Sequence, residues 1–134
     1  MARRSRARDV AMQVLFQEDL SSRAVPLEDE AFVRRRIREE ELRAFCLSLI
    51  WGTRKNRIEL DELLDNAAEN WSLMRMAATD RNVLRIGAFE ILHTETPDRV
   101  VINEAVELAK RYGAVHSPQF VNGILDRLLE KHDK

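Results

Sequence analysis

The stretch that decides the fold is Pro97–Asp126, which reads PDRVVINEAVELAKRYGAVHSPQFVNGILD. Its first half places apolar residues at helical spacing on one side and polar residues on the other, which is the pattern of an amphipathic helix. Gly113 is the expected C-terminal stop of that helix, and Ser117 with Pro118 offers an N-cap and a first-turn proline for the next. The stretch therefore predicts two consecutive helices.

The same periodicity extends through the rest of the chain. An apolar stripe with the helical spacing i, i+3, i+4, i+7 and i+8 lies near the N-terminus at Ala7, Val10, Ala11, Val14 and Leu15. A longer stripe follows Glu40. Residues 83–92 are apolar around almost the whole circumference, which predicts a central, buried helix. No strand pattern or internal repeat is evident in the 134 residues, so we expect one all-α domain over residues 1–134.

Composition limits the compartment and the partners. The chain is 45% hydrophobic and 34% charged, and it has a single cysteine, Cys46, which fits a reducing compartment. No apolar run reaches the length of a membrane span, and the charged start lacks the apolar core of a signal peptide. We therefore expect a cytoplasmic protein with no membrane partner, and a core position for Cys46.

The sequence offers little chemistry. Its histidines, His93, His116 and His132, have no metal-ligand spacing and no cysteine partners. It contains neither a glycine-rich phosphate loop nor a GxSxG nucleophile elbow. We therefore predict a protein that is not an enzyme and that needs no metal or cofactor.

Nucleic-acid binding is the better-supported hypothesis. The net charge is only −1, yet Arg3, Arg4, Arg6 and Arg8 cluster in the first eight residues and can neutralise phosphates. Phe16 falls opposite the apolar stripe, and the i, i+4, i+8 spacing of Arg8, Met12 and Phe16 predicts an exposed ridge beside these arginines. Exposed aromatics stack unpaired bases, which favours single-stranded RNA over a duplex. The alternative is a flexible basic tail with the aromatic buried in an oligomer interface.

Several motifs, taken in order, resemble the NusB family of bacterial transcription antitermination factors along nearly the full length. The first is Arg4–Phe16, RSRARDVAMQVLF, and the second combines Asn70-Trp71-Ser72 with Arg75 and the DRNVLRI segment 80–86. The last two are INEA at 102–105 and FVNG at 120–123. The resemblance implies about seven helices in two packed three-helix subdomains.

The resemblance also implies a function and partners. It implies binding of the boxA element of nascent RNA together with NusE, a small-subunit ribosomal protein. The pair is expected to join other Nus factors on the RNA polymerase complex, supporting transcription of ribosomal RNA without a chemical step. A stand-alone helical protein-interaction or dimerisation module of the same fold remains the alternative, and the sequence leaves monomer or homodimer open.

The resemblance also implies site residues, which are assigned position by position. Phe16 occupies a position that is usually Tyr in the family, so stacking is retained there while a hydroxyl hydrogen bond is lost. The expected RNA contacts are Arg4, Arg6, Arg8, Met12, Phe16, Gln119 and Phe120, and the expected NusE contacts are Asp80, Glu104 and Glu107. For Asn103, Glu104, Asn122 and Gly123 a structural role competes with RNA contact. We expect Trp71 to be a core anchor between the subdomains, with a stacking platform as the alternative.

Overall fold

Seven α-helices make up almost all of the computed structural model, which describes residues 3–21 and 26–132. The all-α prediction is confirmed, since no strand occurs in those ranges. The helices are α1 Arg3–Ser21, α2 Pro26–Arg36, α3 Glu40–Lys55, α4 Arg57–Ala68, α5 Ala78–His93, α6 Asp98–Tyr112 and α7 Ser117–His132, and a 3₁₀ turn at Leu73–Arg75 links α4 to α5.

Helix α5 is the centre of the fold, as its apolar circumference predicts. Every residue from 81 to 90 is buried, and the helix packs against α1, α3, α4, α6 and α7. It therefore joins the N-terminal helices α1–α3 to the C-terminal helices α4, α6 and α7. Gly52 on α3 permits a close approach, because a Cβ there would lie 2.1 Å from Cζ of Phe89 on α5.

The turn between α6 and α7 lies where the sequence places it, but for different physical reasons. Gly113 ends α6 with φ −94°, so it is not in the left-handed conformation of a typical glycine stop. A glycine is needed because a Cβ would lie 2.4 Å from Oγ of Ser117. Ser117 is the first residue of α7 and not its N-cap, and its buried hydroxyl accepts a hydrogen bond from the backbone N–H of Ala114 at 2.9 Å.

A buried polar cluster fastens the end of α1 to α5. The Asp19 carboxylate accepts hydrogen bonds from Nε of Arg81 at 2.8 Å and from Nδ2 of Asn82 at 2.9 Å. Arg85 lies 3.4 Å from the same oxygen and also bonds Asp61 on α4. Burial favours the neutral acid, but these hydrogen bonds and the two guanidinium charges outweigh it and lower the pKa of Asp19.

Each helix in the described part of the chain is too short or too polar to cross a lipid bilayer. Cys46 is fully buried on α3, as expected. Burial, reinforced by the charge of Asp29 and partly opposed by Arg6, raises the pKa of its thiol to about 12. A thiol held neutral at physiological pH is unreactive.

Candidate nucleic-acid interface

The N-terminal arginines form an exposed cluster on the first two turns of α1. Arg3, Arg4 and Arg6 are exposed, as a phosphate-binding surface requires. The Arg4 guanidinium lies 4.2 Å from the centroid of the Phe45 ring on α3, which is a cation–π contact. This contact holds one of the three cations in place. We call Arg3, Arg4 and Arg6 the arginine cluster.

Arg8 does not belong to that surface, and its predicted place on an exposed ridge is wrong. The residue is 3% exposed, and its Nε and Nη2 donate to the two carboxylate oxygens of Glu90 at 2.6 and 2.8 Å. Glu104 lies 3.6 Å from Nη1, and its Oε1 accepts a 2.6 Å hydrogen bond from Ser5. Burial alone would lower the pKa of Arg8, but the hydrogen bond and charge of Glu90, with Glu104, raise it. Arg8 therefore fastens α1 to α5 and α6.

Met12 also lies away from solvent. It is 1% exposed and belongs to the core, because α1 packs against α3, α5 and α6 and residues 7–12 are buried around the whole helix. Phe16, the third member of the predicted ridge, is partly exposed and packs against the edge of the core. The ridge prediction is therefore wrong for two of its three residues.

A polar cluster on α1 and α6 separates the arginine cluster from Phe16. The Asp9 carboxylate is buried and accepts hydrogen bonds from Arg111, from the Tyr112 hydroxyl and from Gln13. Burial and the hydrogen bond to Asp9 together raise the pKa of Tyr112. The Arg111 side chain is 46% exposed, so it adds a cation between Arg6 and Phe16. Sequence reasoning missed Arg111, because only the packing of α6 on α1 brings it there.

The first turn of α7 presents the second group of predicted RNA contacts. Gln119 is exposed, and Phe120 is partly buried, with its ring centroid 5.7 Å from that of Trp71 and an interplanar angle of 86°. Trp71 is 57% exposed, so the expected core anchor is wrong. Trp71 sits in the connection after α4, where Glu69 turns the chain with φ 56°, and Met74 beside it is 59% exposed. The structure therefore offers an aromatic patch, Trp71 with Phe120.

The predicted NusE contacts do not form one acidic surface. Asp80 lies partly buried in the first turn of α5, and Glu90, which bonds Arg8, follows ten residues later. At 1.5 Å per residue, that separation along the helix is roughly 15 Å. Glu104 sits at the Arg8 end, bonded to Ser5, and Glu107 is exposed beside Lys110 at 3.1 Å. Asp80 is thus separate from the two α6 carboxylates.

Of the remaining candidates, Asn103 and Asn122 are exposed, and Asn122 donates to Asp126 at 3.3 Å. A Cβ at Gly123 would meet only the Arg127 side chain, at 3.6 Å, so no close backbone approach requires glycine there. Across residues 3–21 and 26–132, no three His, Cys, Asp or Glu side chains are grouped to hold a metal ion.

Comparison with known proteins assigns the family. The model of the NusB family matches residues 5–130. The chain belongs to the NusB family. A transcription antitermination protein NusB from Sorangium cellulosum (strain So ce56) is 42% identical over 131 residues, which cover 97% of this chain and 94% of the relative. The family resemblance inferred from the sequence motifs is therefore confirmed.

Solved NusB structures have the same fold. A structure of T. maritima NusB superposes with a TM-score of 0.85 at 34% identity, covering 100% of this chain and 94% of that chain. A crystal structure of the antitermination factors NusB and NusE in complex with dsRNA contains a chain that superposes with a TM-score of 0.86 at 26% identity, covering 98% of each. The helical arrangement described above is therefore that of NusB proteins.

Proposed function

We propose that this chain is a transcription antitermination factor that binds boxA-type single-stranded RNA together with the ribosomal protein NusE. The observation that carries the proposal is the arrangement along α1. The exposed arginine cluster stands at one end, Phe16 stands about 15 Å further along the helix, and Arg111 supplies a cation between them. Such a surface combines phosphate neutralisation with base stacking, and a structural relative has been solved with NusE and dsRNA.

The proposed RNA contacts are revised by the burial of individual residues. Arg4, Arg6, Phe16, Gln119 and Phe120 keep their proposed contact with RNA, since each has solvent-exposed surface. Arg8 and Met12 support the surface from inside. Arg111 and Trp71 join the set, Arg111 as a phosphate contact and Trp71 as an exposed ring beside Phe120 on which a base could stack.

The protein is proposed to act by binding alone, in the cytoplasm, as one domain over residues 1–134. Its partners would be boxA-type RNA, NusE, other Nus factors and the RNA polymerase complex. NusE would contact Asp80 at the start of α5 and Glu107 on α6, with Glu104 acting through Ser5 and Arg8 rather than at the surface. The separation of these carboxylates favours two small contacts over one acidic face.

The decisive experiment is a titration of boxA-type and scrambled RNA at several salt concentrations, with and without NusE. The wild-type protein is expected to prefer boxA-type RNA, with NusE tightening the complex. Arg6→Ala should weaken binding and reduce the magnitude of the salt slope by about one, because one phosphate contact is lost. Phe120→Ala should cost roughly 1–3 kcal/mol of binding free energy.

Arg35→Ala is the matched control, because Arg35 is an exposed arginine on α2, a helix that contributes no residue to the proposed surface. It should leave affinity and slope unchanged. Equal losses for Arg6→Ala and Arg35→Ala would mean that the RNA binds without a defined site. Equal affinity for boxA-type, scrambled and duplex RNA would contradict the proposal outright.

The second candidate is a protein-interaction or dimerisation module of the same fold. The exposed side chains of Trp71, Met74 and Leu20 favour it, since large apolar side chains in contact with water are typical of interfaces. Light scattering across a concentration series would separate monomer from homodimer. If RNA and self-association compete, addition of RNA should shift the population to monomer.

A further inference from the structure

An open groove of about 610 Å³ lies beside the arginine cluster and shares only Arg4 with the surface described above. It runs between the start of α1, the middle of α3 and the connection from α5 to α6. Arg4 lines one wall with its guanidinium over the Phe45 ring, so the groove adjoins the proposed RNA surface directly. A volume in this range is typical of sites that hold one small ligand.

The charges in the groove do not suit a phosphate. Arg4 and Arg8 line it, but Arg8 is already paired with Glu90. Glu95 and Glu104 add two carboxylates, and Glu95 is exposed with no ion pair to any residue that the structure describes. The two carboxylates offset the two guanidinium groups, so the groove has no excess positive charge to attract a phosphate, whereas a neutral group bearing hydrogen-bond donors suits it.

Three of the four hydroxyl side chains that line the groove are committed as donors. Ser48 donates to the carbonyl oxygen of Phe45 at 2.6 Å, Thr94 to that of Glu90 at 2.7 Å, and Ser5 to the Glu104 carboxylate at 2.6 Å. Each hydroxyl oxygen can therefore only accept a further hydrogen bond. Together with the carboxylates they make a wall rich in acceptors, which complements an amino group.

A flat ring also has a place to stack. The Arg4 guanidinium lies over Phe45, and Arg guanidinium planes and aromatic rings are the surfaces on which unpaired RNA bases stack. Val100 adds an exposed apolar side chain to the same groove. A nucleobase with an exocyclic amino group matches all three features of the groove. Its ring can stack on the Arg4 guanidinium, its amino group can donate to the acceptors, and it is neutral, as a groove without excess positive charge requires.

We propose that this groove binds one base that carries an exocyclic amino group (adenine, cytosine or guanine) in the RNA that flanks the segment held by the arginine cluster. The inference rests on the proposed RNA-binding function and adds a base preference to it. Uracil has no exocyclic amino group and would present carbonyl oxygens to the carboxylates, so it is disfavoured.

The test uses one boxA-type RNA carrying a three-nucleotide extension of adenosine, uridine or purine riboside, placed at the 5′ or the 3′ end. Purine riboside is adenosine without its amino group, so it isolates that group from stacking. By fluorescence anisotropy, the adenosine extension should tighten binding about three- to tenfold over the purine riboside extension at one of the two ends.

Glu95→Ala should bring the ratio of affinities for the adenosine and purine riboside extensions towards one. It should do so even if the loss of a negative charge tightens the binding of every RNA. Glu62→Ala is the matched control, because Glu62 is an exposed carboxylate on α4 outside the groove. It should leave the ratio unchanged. Circular dichroism melts would verify that both variants are folded.

Three results would overturn the inference. If the unextended RNA binds but the extensions all bind alike, the groove holds no base, and the proposed function survives. If an arginine-rich peptide binds the wild type and not Glu95→Ala while the adenosine preference is absent, the groove is a protein site. If no RNA binds at all, both the proposed function and the groove inference fail.

Discussion

Replacing Arg8 by methionine should destabilise the fold rather than only weaken RNA binding. Methionine keeps most of the apolar volume, so the main loss is the guanidinium that pairs with Glu90 at 2.6 and 2.8 Å. Glu90 is 1% exposed and would be left as a buried charge. Removing one partner of a buried ion pair costs about 3–5 kcal/mol.

That cost converts into a large thermal shift. At about 2.1 cal/mol/K per residue, the entropy of unfolding of this 134-residue chain is roughly 280 cal/mol/K. One kcal/mol then corresponds to about 3.6 °C, so Arg8→Met should lower Tm by about 11–18 °C. Circular dichroism melts and urea titrations would measure the Tm and the free energy of unfolding.

Arg6→Met is the matched control, because Arg6 is exposed two residues earlier on the same helix. It should change stability by less than about 0.5 kcal/mol. The double variant Arg8→Met with Glu90→Leu should recover much of the loss, since hydrophobic residues often replace a buried ion pair without cost. A structural role for Arg8 is refuted if Arg8→Met has the same Tm as the wild type but binds RNA more weakly, because Arg8 would then act at the surface.

Three further predictions concern contacts between helices or within the core, at Asp19, Cys46 and Gly52. Because the pKa of Asp19 is lowered in the folded state, its contribution to stability is full above the unfolded pKa of about 3.9 and is lost as the pH falls through the folded pKa. Asp19→Asn should therefore lower the free energy of unfolding by about 1.5–3 kcal/mol at pH 7. In urea titrations, the difference in stability between wild type and variant should shrink below about pH 4. A difference that stays constant with pH would contradict the role given to Asp19. Cys46, with a pKa raised to about 12, should resist a thiol reagent until urea unfolds the chain, and rapid labelling of the native protein would place the thiol near the surface. Gly52→Ala should lower stability by about 1–3 kcal/mol in thermal melts, because its Cβ would overlap the Phe89 ring. Gly123→Ala is the control, because a Cβ has space there. Equal Tm values for the two variants would mean that α3 and α5 can move apart to accommodate the added methyl group.

The apolar periodicity predicted the helical class and the central place of α5, but it did not predict that the stripe after Glu40 is divided between α3 and α4. A helix that is apolar all round has to be surrounded, and residues 81–90 are buried without exception. The same pattern was misleading on α1, where one apolar stripe was visible but four helices, α2, α3, α5 and α6, pack against α1 and residues 7–12 are all buried. Periodicity within a helix reports its preferred inner face, and it does not report how many neighbours cover the other faces.

The predicted site residues were likewise right in some places and wrong in others. Arg4, Arg6 and Gln119 are exposed as predicted, whereas Trp71, which was expected to be a core anchor, lies at the surface. A turn with positive φ at Glu69 carries Trp71 outward, and no residue pattern around it signalled that turn.

The sequence by itself determined the helical fold, its central helix, the family and the basic start of α1, because apolar spacing, turn residues and motif order are local properties of the chain. Only the tertiary structure decided which arginine is a surface charge and which is a structural one. Arg6 and Arg8 are two residues apart and chemically identical, yet Arg8 meets the carboxylates of Glu90 and Glu104 from distant parts of the chain. A charge is assigned its role by the partners that folding brings to it, and those partners lie 82 and 96 residues away in sequence.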